Sequence, residues 1–132
     1  MKTIRQSYTI LSPIGPVWDA FVEPSLIEKW GGGPAVMSDE EGFEFSLWGG
    51  DIYGKNTQII KHKVIKQDWF SGKKWNSPSK LTFIFNDNSD VTTVDLVHED
   101  VPDDDADSIA EGWKDYYLGP IKELIEKSVH RS

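Results

Sequence analysis

The run Ile109–Val129, IAEGWKDYYLGPIKELIEKSV, decides how the rest of the chain is read. Ile109, Trp113, Tyr116, Tyr117, Ile121, Leu124 and Ile125 recur at spacings of three and four, which makes one apolar stripe along a helix. Glu111, Asp115, Lys122 and Glu126 fall on the opposite, solvent side. Ser108 with Glu111 three residues on reads as a capping box. Asp103, Asp104, Asp105 and Asp107 place negative charge at the positive end of the helix dipole. A helix of about twenty residues rises roughly 30 Å, the width of a small domain. Pro120 removes one backbone donor, so a bend is expected near Gly119–Pro120. A long helix carrying three aromatics needs a broad apolar partner, which the upstream sequence must supply.

Upstream, Thr3–Leu11 alternates, with Ile4, Tyr8 and Ile10 on one face and Arg5, Ser7 and Thr9 on the other, as in a strand. Gly15–Pro16 opens a short helix with Val17, Trp18, Phe21 and Val22 on its apolar face. Pro24 restarts a second one through Leu26, Ile27 and Trp30, and Gly31–Gly32–Gly33–Pro34 stops it. From Ala35 to Glu99 the period becomes two. Phe43, Phe45 and Leu47 alternate with Glu44, Ser46 and Trp48, and Leu81, Phe83 and Phe85 with Thr82, Ile84 and Asn86. Tyr53–His62 and Lys63–Phe70 read as two further strands. Asn86–Asp90 is a turn by composition, and Val91–His98 returns antiparallel to the strand before it. The order predicts an α+β fold: a curved antiparallel sheet of about six or seven strands around a long C-terminal helix, with two short helices after the first strand.

The 132 residues suit one domain, 1–132, large enough to bury a sizeable core. A formal charge of −8, from 14 basic and 22 acidic residues, argues against nucleic acid or an anionic membrane as main partner. Without cysteine there is neither disulfide nor thiol nucleophile. MKTIRQSYTI holds no continuous apolar segment and nothing later approaches a membrane span, so a soluble, cytoplasmic protein is expected. Aromatics reach 12%, with 6 Trp, and that surface must be either core or the wall of a cavity.

Four segments then carry a family likeness. They are Ser12-Pro13-Ile14-Gly15-Pro16-Val17-Trp18-Asp19-Ala20-Phe21 with Pro24 and Ile27-Glu28-Lys29-Trp30; Gly49-Gly50-Asp51-Ile52-Tyr53-Gly54; Leu96-Val97-His98-Glu99-Asp100-Val101-Pro102; and Gly112-Trp113. Together, in this order, they resemble the family of the activator of the 90 kDa heat-shock protein ATPase, in its C-terminal domain. That family lies in the START/SRPBCC superfamily, with the helix-grip fold of the birch-pollen allergen. The resemblance spans essentially the whole chain and implies a hydrophobic cavity between sheet and long helix. Family members often carry a second Trp directly after the position of Trp30; Gly31 stands there in this sequence, implying a more open corner. Eukaryotic activators also carry a separate N-terminal domain for chaperone contact, for which this sequence has no counterpart.

The candidate cavity residues are Trp30, Phe45, Tyr53, Trp69, Trp75, Phe83, Phe85, His98, Trp113, Tyr117 and Ile121. Where helix crosses sheet they would form an apolar pocket with a few orienting polar groups, or equally an ordinary aromatic-rich core. Tyr53, Tyr117 and His98 are the candidates for orienting a ligand. His98 shares its parity with Val94 and Leu96, so it should point inward, whereas His62, between Lys61 and Lys63, reads as a strand-surface residue. No catalytic triad, nucleophile elbow or paired-carboxylate pattern is present, so no catalytic residue is assigned. The acidic run Glu99–Asp107 lacks the glycine and distal glutamate of a calcium loop and reads as a solvated loop, with no metal ligand assigned. Between Lys55 and Lys80 stand Lys55, Lys61, Lys63, Lys66, Lys73, Lys74 and Lys80 against Asp68 alone. They keep strand faces soluble or, through Lys61, Lys63 and Lys66, offer a docking face to an acidic protein partner.

Three functional readings follow. The first is a non-enzymatic binding protein, without cofactor, that holds a small apolar or aromatic, lipid-like ligand between helix and sheet. The second is a chaperone-associated interaction module working through the basic strands. The third is a cyclase- or hydratase-type enzyme of the kind the superfamily hosts, an analogy of fold alone.

Overall fold

A computed structural model of the chain describes residues 1–72 and 75–129. Six strands are arranged in one antiparallel sheet: β1 (Lys2–Ile10), β2 (Glu44–Leu47), β3 (Ile52–Ile60), β4 (Val64–Ser71), β5 (Ser79–Asn88) and β6 (Val91–Val101). Their spatial order is β1-β6-β5-β4-β3-β2, so the first strand closes onto the last and the others form a meander. Two short helices, α1 (Ile14–Val22) and α2 (Pro24–Trp30), follow β1. The chain ends in a long helix in three parts: α3 (Ala106–Gly112), a π-helical turn (Trp113–Leu118) and α4 (Gly119–Val129). This is the α+β helix-grip arrangement the sequence predicts.

Alternation in the central strands decides which face is core. Leu81, Phe83 and Phe85 pair across β5 and β6 with His98, Leu96 and Val94, and all six are buried. Their neighbours Ile84 and Asn86 face water. The inner face is then covered by rings from the helices: Phe21 packs edge-on against Phe83 and Phe85, and Trp18 against Phe85. Edge-to-face pairs of this kind add about 0.5–1.5 kcal/mol each beyond the area they bury.

Several local expectations give way. The β5–β6 turn is shorter than Asn86–Asp90: strand pairing continues to Asn88↔Val91, leaving Ser89 and Asp90 as a two-residue loop with Ser89 at φ 62°. His62 is not in a strand; it takes φ 65° in the β3–β4 turn, and its ring meets the edge of Trp18. Residues 35–43 carry a single bridge, Val36↔Ser46, rather than a continuous strand. Gly31 takes φ 106° at the end of α2, and its N–H donates to Ile27 O, so it is a left-handed stop that a tryptophan would fill only with strain.

The long helix starts at Ala106, three residues before Ile109, so Ser108 is already inside it and the Ser108–Glu111 capping box does not form. Asp105 precedes the first turn, yet its carboxylate makes no cap. Instead Oδ2 accepts the Trp75 indole N–H at 2.9 Å and ties the β4–β5 connection to the helix start. The irregularity expected at Pro120 is a widened turn ahead of it. The Gly119 N–H donates to Lys114 O, five residues back, and a Cβ on Gly119 would stand 2.1 Å from that oxygen. Only glycine fits this carbonyl, and Pro120 next to it offers no N–H to continue the ladder. Across the turn Trp113, Tyr117 and Leu118 are buried, while Tyr116, assigned to the apolar stripe by spacing, is 68% exposed. The last turns are pinned to β1, where Lys122 Nζ donates to Thr9 O and the Glu126 carboxylate accepts the Leu11 N–H. Among the described residues no helix is long and apolar enough to cross a membrane.

Candidate functional site: an aromatic groove beside a sealed histidine

Where α3 and the π turn pass the β3–β4 end of the sheet, they stand off from it and leave an apolar groove of about 310 Å³. Trp69 and Ile52 form its floor from β4 and β3. Ile109, Gly112, Trp113 and Tyr117 form the helix wall, with the exposed Tyr116 at the rim. The far wall is Trp48, in the short 3-10 turn Trp48–Gly50 that ends β2. Asp51, Ser71 and Ser108 supply the polar edge.

Trp48 reaches this position through an unusual backbone. Its alternation with Leu47 would send the ring outward. Strand geometry instead ends at Leu47, and Trp48 takes φ 50°, sparsely populated for a non-glycine residue. Its N–H donates to Gly32 O at 2.8 Å, Gly49 N–H donates to Pro34 O, and the ring turns back to stand 6.0 Å from Trp30 and 6.1 Å from Tyr117. A side chain held in the left-handed region costs on the order of 1–2 kcal/mol, which the surrounding hydrogen bonds and rings must offset.

Tyr117 is the centre of the ring cluster. Its ring lies 4.7 Å from Trp30, 4.8 Å from Trp113, 5.9 Å from Phe83, and within 6.1 Å of Phe21 and Trp48. It is 3% exposed, and burial alone pushes its phenol pKa above the ordinary value, so the hydroxyl is neutral and both donor and acceptor. Beside it, the Trp69 indole N–H is buried with no partner among the described residues.

Behind the groove lies a polar centre of opposite character. The Trp113 indole N–H donates to His98 Nδ1 at 3.2 Å, which leaves Nε2 as the protonated ring nitrogen. Nε2–H donates to Ser79 Oγ at 2.7 Å, and Ser79 Oγ–H donates to the Trp69 carbonyl at 2.8 Å. The chain thus joins the helix to β6, β5 and β4 with every group satisfied. His98 is fully buried, and desolvation lowers its pKa to about 4. It does not line the groove.

Of the residues predicted to line a cavity, Trp69, Trp113 and Tyr117 do so. Trp30 packs behind Tyr117 and donates its N–H to Ala20 O, and Trp75 leans on Trp69 from the loop. Phe45, Phe83, Phe85 and Ile121 are sealed in the core. Tyr53 falls on the wrong side of the sheet: β3 alternation puts Ile52 and Gly54 inward, and Tyr53 stacks flat on Phe70 on the outer face, rings 4.9 Å apart. Sequence reading missed Trp48, Ile52, Ile109, Gly112 and Tyr116 as walls; Gly49–Gly50 directly after Trp48 was the available signal that the strand stops there. Lys61, Lys63 and Lys66 are exposed toward the far end of the β3–β4 hairpin; Lys61 and Lys63 lie about eight or nine residues, roughly 26–30 Å, along the strands from Ile52 and Ser71, and Lys66 about five residues, roughly 16 Å, from Ser71. Lys73 and Lys74 lie outside the described residues. Among the described residues no three His, Asp or Glu gather in a metal-binding cluster.

Comparison with known proteins agrees with this architecture. The sequence model of the family described as "Activator of Hsp90 ATPase homolog 1-like protein" matches residues 12–126. The activator of 90 kDa heat shock protein ATPase homolog of Dictyostelium discoideum is 31% identical over 114 residues, covering 84% of this chain and 30% of that protein. The human homolog 1 is 23% identical over 119 residues, covering 89% of this chain and 35% of that protein. The chain therefore spans about a third of the length of the curated relatives it matches. A crystal structure of an HSP90 activator from Plasmodium falciparum superimposes with a TM-score of 0.87 at 22% identity, over 95% of this chain and 96% of that one, and shows the shared fold.

Proposed function

The chain belongs to the Activator of Hsp90 ATPase homolog 1-like family, and on that premise we propose that it works by binding rather than by chemistry. The groove between Trp48, Trp69 and the π turn holds a small apolar or aromatic group. The observation that carries this reading is the groove itself, walled by aromatic rings from three separate elements and held open beside an otherwise packed interior. The sealed histidine supports it too. A general base needs a free lone pair near neutral pH and access to substrate, and both nitrogens of His98 are engaged away from the groove. The test is a titration of the purified protein with an environment-sensitive apolar dye, on wild type and Trp48→Ala. Saturable binding, weakened at least about tenfold by removing the Trp48 wall, is the expected result. Absence of saturable binding by the wild type overturns the reading.

A second reading is favoured by the relatives: two of them carry the name of an activator of the 90 kDa heat shock protein ATPase. In this reading the chain associates with such a chaperone, and Lys61, Lys63 and Lys66 supply its contact with an acidic surface. The whole protein's activity would show as a raised ATPase rate of purified 90 kDa chaperone. Triple reversal to Glu should abolish the increase, and high salt should weaken it in the wild type. An unchanged rate with wild-type protein rejects this reading without touching the first.

A further inference from the structure

We infer that the Tyr117 hydroxyl is the specificity-determining group of the groove, selecting a planar aromatic ligand that carries its own hydroxyl or carbonyl over a bare hydrocarbon. The inference rests on the groove being a binding site, as proposed above, and goes further by naming the chemistry its wall offers at Tyr117.

Three observations carry it. The Tyr117 ring is clamped by five aromatic neighbours, so the hydroxyl is fixed in place before any ligand arrives. The residue is only 3% exposed and lines the groove; its hydroxyl has no hydrogen-bond partner among the described residues and is not one of their fully buried unpaired atoms, so the oxygen keeps a small accessible surface. A hydroxyl so placed is satisfied only by what enters the groove, water or ligand. Third, the walls are flat rings: Trp48, Trp69 and Trp113 favour stacked or edge-on contact with another ring over a flexible alkyl tail. A polar group buried beside such walls rejects an analogue that leaves it unpaired more strongly than an apolar wall rejects a small change of size.

The discriminating pair is 2-naphthol and naphthalene, of nearly equal apolar surface and differing in one hydroxyl. Binding is followed on the full chain through the indole N–H signals in two-dimensional NMR spectra. With wild type, 2-naphthol is expected to bind about five- to tenfold more tightly than naphthalene, the value of one neutral hydrogen bond. In Tyr117→Phe the two affinities should converge, while in Tyr116→Phe, whose hydroxyl stands at the rim, the gap should persist. Equal affinities for the two rings in wild type overturn the inference and leave the groove as a purely apolar site. A gap that survives Tyr117→Phe also overturns it. If neither ring gives saturable shifts with wild type, the binding reading falls together with the inference. The wild-type comparison decides the matter even where Tyr117→Phe fails to fold.

Discussion

The two halves of the C-terminal helix face the same sheet and end in opposite states. Along α4, Ile121 and Ile125 are sealed, because α1 and α2 pack across that half and fill the angle between helix and sheet. Along α3 and the π turn, Ile109 and Gly112 are only half-buried and Tyr116 is open, because the short turn at Trp48–Gly50 stands there in place of covering helices. Aromatic content does not separate the halves, for Phe21 and Phe83 are as much rings as Trp48 and Trp69. What separates them is coverage. A cavity in this fold exists where the covering helices stop, and its walls come from the segment that replaces them.

The sharpest way to break this comparison is at the joint between the halves. Gly119→Ala would push a methyl to within 2.1 Å of Lys114 O, a backbone atom that cannot step aside. Such overpacking should cost more than about 3 kcal/mol in urea unfolding, or prevent folding. A variant within about 1 kcal/mol of wild type would mean that the widened turn is not what holds the two halves in register.

The next contrast sets a sealed ring beside a groove ring. Phe83 is wholly buried under Phe21, Trp113 and Tyr117, so Phe83→Ala should destabilise by about 3–5 kcal/mol. Trp48→Ala removes a half-buried ring but keeps the Cβ and with it the positive φ, so only the lost packing counts and its cost should stay below about 3 kcal/mol, while dye binding weakens at least about tenfold. Equal losses of stability would show Trp48 to be core after all, and the groove an accident of packing.

The histidine chain predicts a pH signature. Unfolded, His98 titrates near 6.5; folded, near 4. Between those values the unfolded chain binds the extra proton, so stability is full above about 6.5 and is lost as pH falls toward 4, by up to about 3 kcal/mol. Protonation would also place a hydrogen on Nδ1 against the Trp113 N–H. His98→Gln cannot titrate, so its unfolding free energy should fall less steeply over the same window. Parallel pH slopes for the two proteins would remove His98 as the source.

Much of this fold is legible from residue spacing alone, and the reasons it stops being legible are local. Period-two alternation through Leu81–Phe85 and Val94–His98 puts the right residues on the core face, including His98. The same rule misplaces Trp48, because alternation holds only while the strand lasts and a single φ of 50° ends it. It also explains Tyr53. Residue type alone assigns Tyr53 to a cavity, whereas its parity with Lys55 puts that ring on the outer face. Tyr116 fails for another reason. Spacings of three and four mark neighbours on a helix but not the edges of what the helix covers, and Tyr116 lies beyond the edge. The Ser108–Glu111 pair has the sequence of a cap and none of its geometry, because Asp105 lets the helix begin earlier while its carboxylate is taken by Trp75. Sequence periodicity reports faces; it is silent on where one element ends and which segment then covers the gap.

The smallest effect tests the groove without disturbing the core. Gly112 has ordinary helical angles, φ −61° and ψ −36°, and a Cβ there would meet nothing nearer than Tyr116 Cδ2 at 4.0 Å. Helix propensity therefore favours Gly112→Ala by about 0.5–1 kcal/mol, mainly by restricting the unfolded chain. Yet Gly112 lines the groove, so the same methyl narrows it. The variant should unfold at higher urea and bind the apolar dye a few-fold more weakly, a gain in stability coupled to a loss of binding. Few core substitutions move the two quantities in opposite directions, since damage to packing lowers both. Tighter or unchanged dye binding in a stabilised Gly112→Ala would place the dye somewhere other than the helix wall, and the groove between Trp48 and the π turn would lose its claim to be the site.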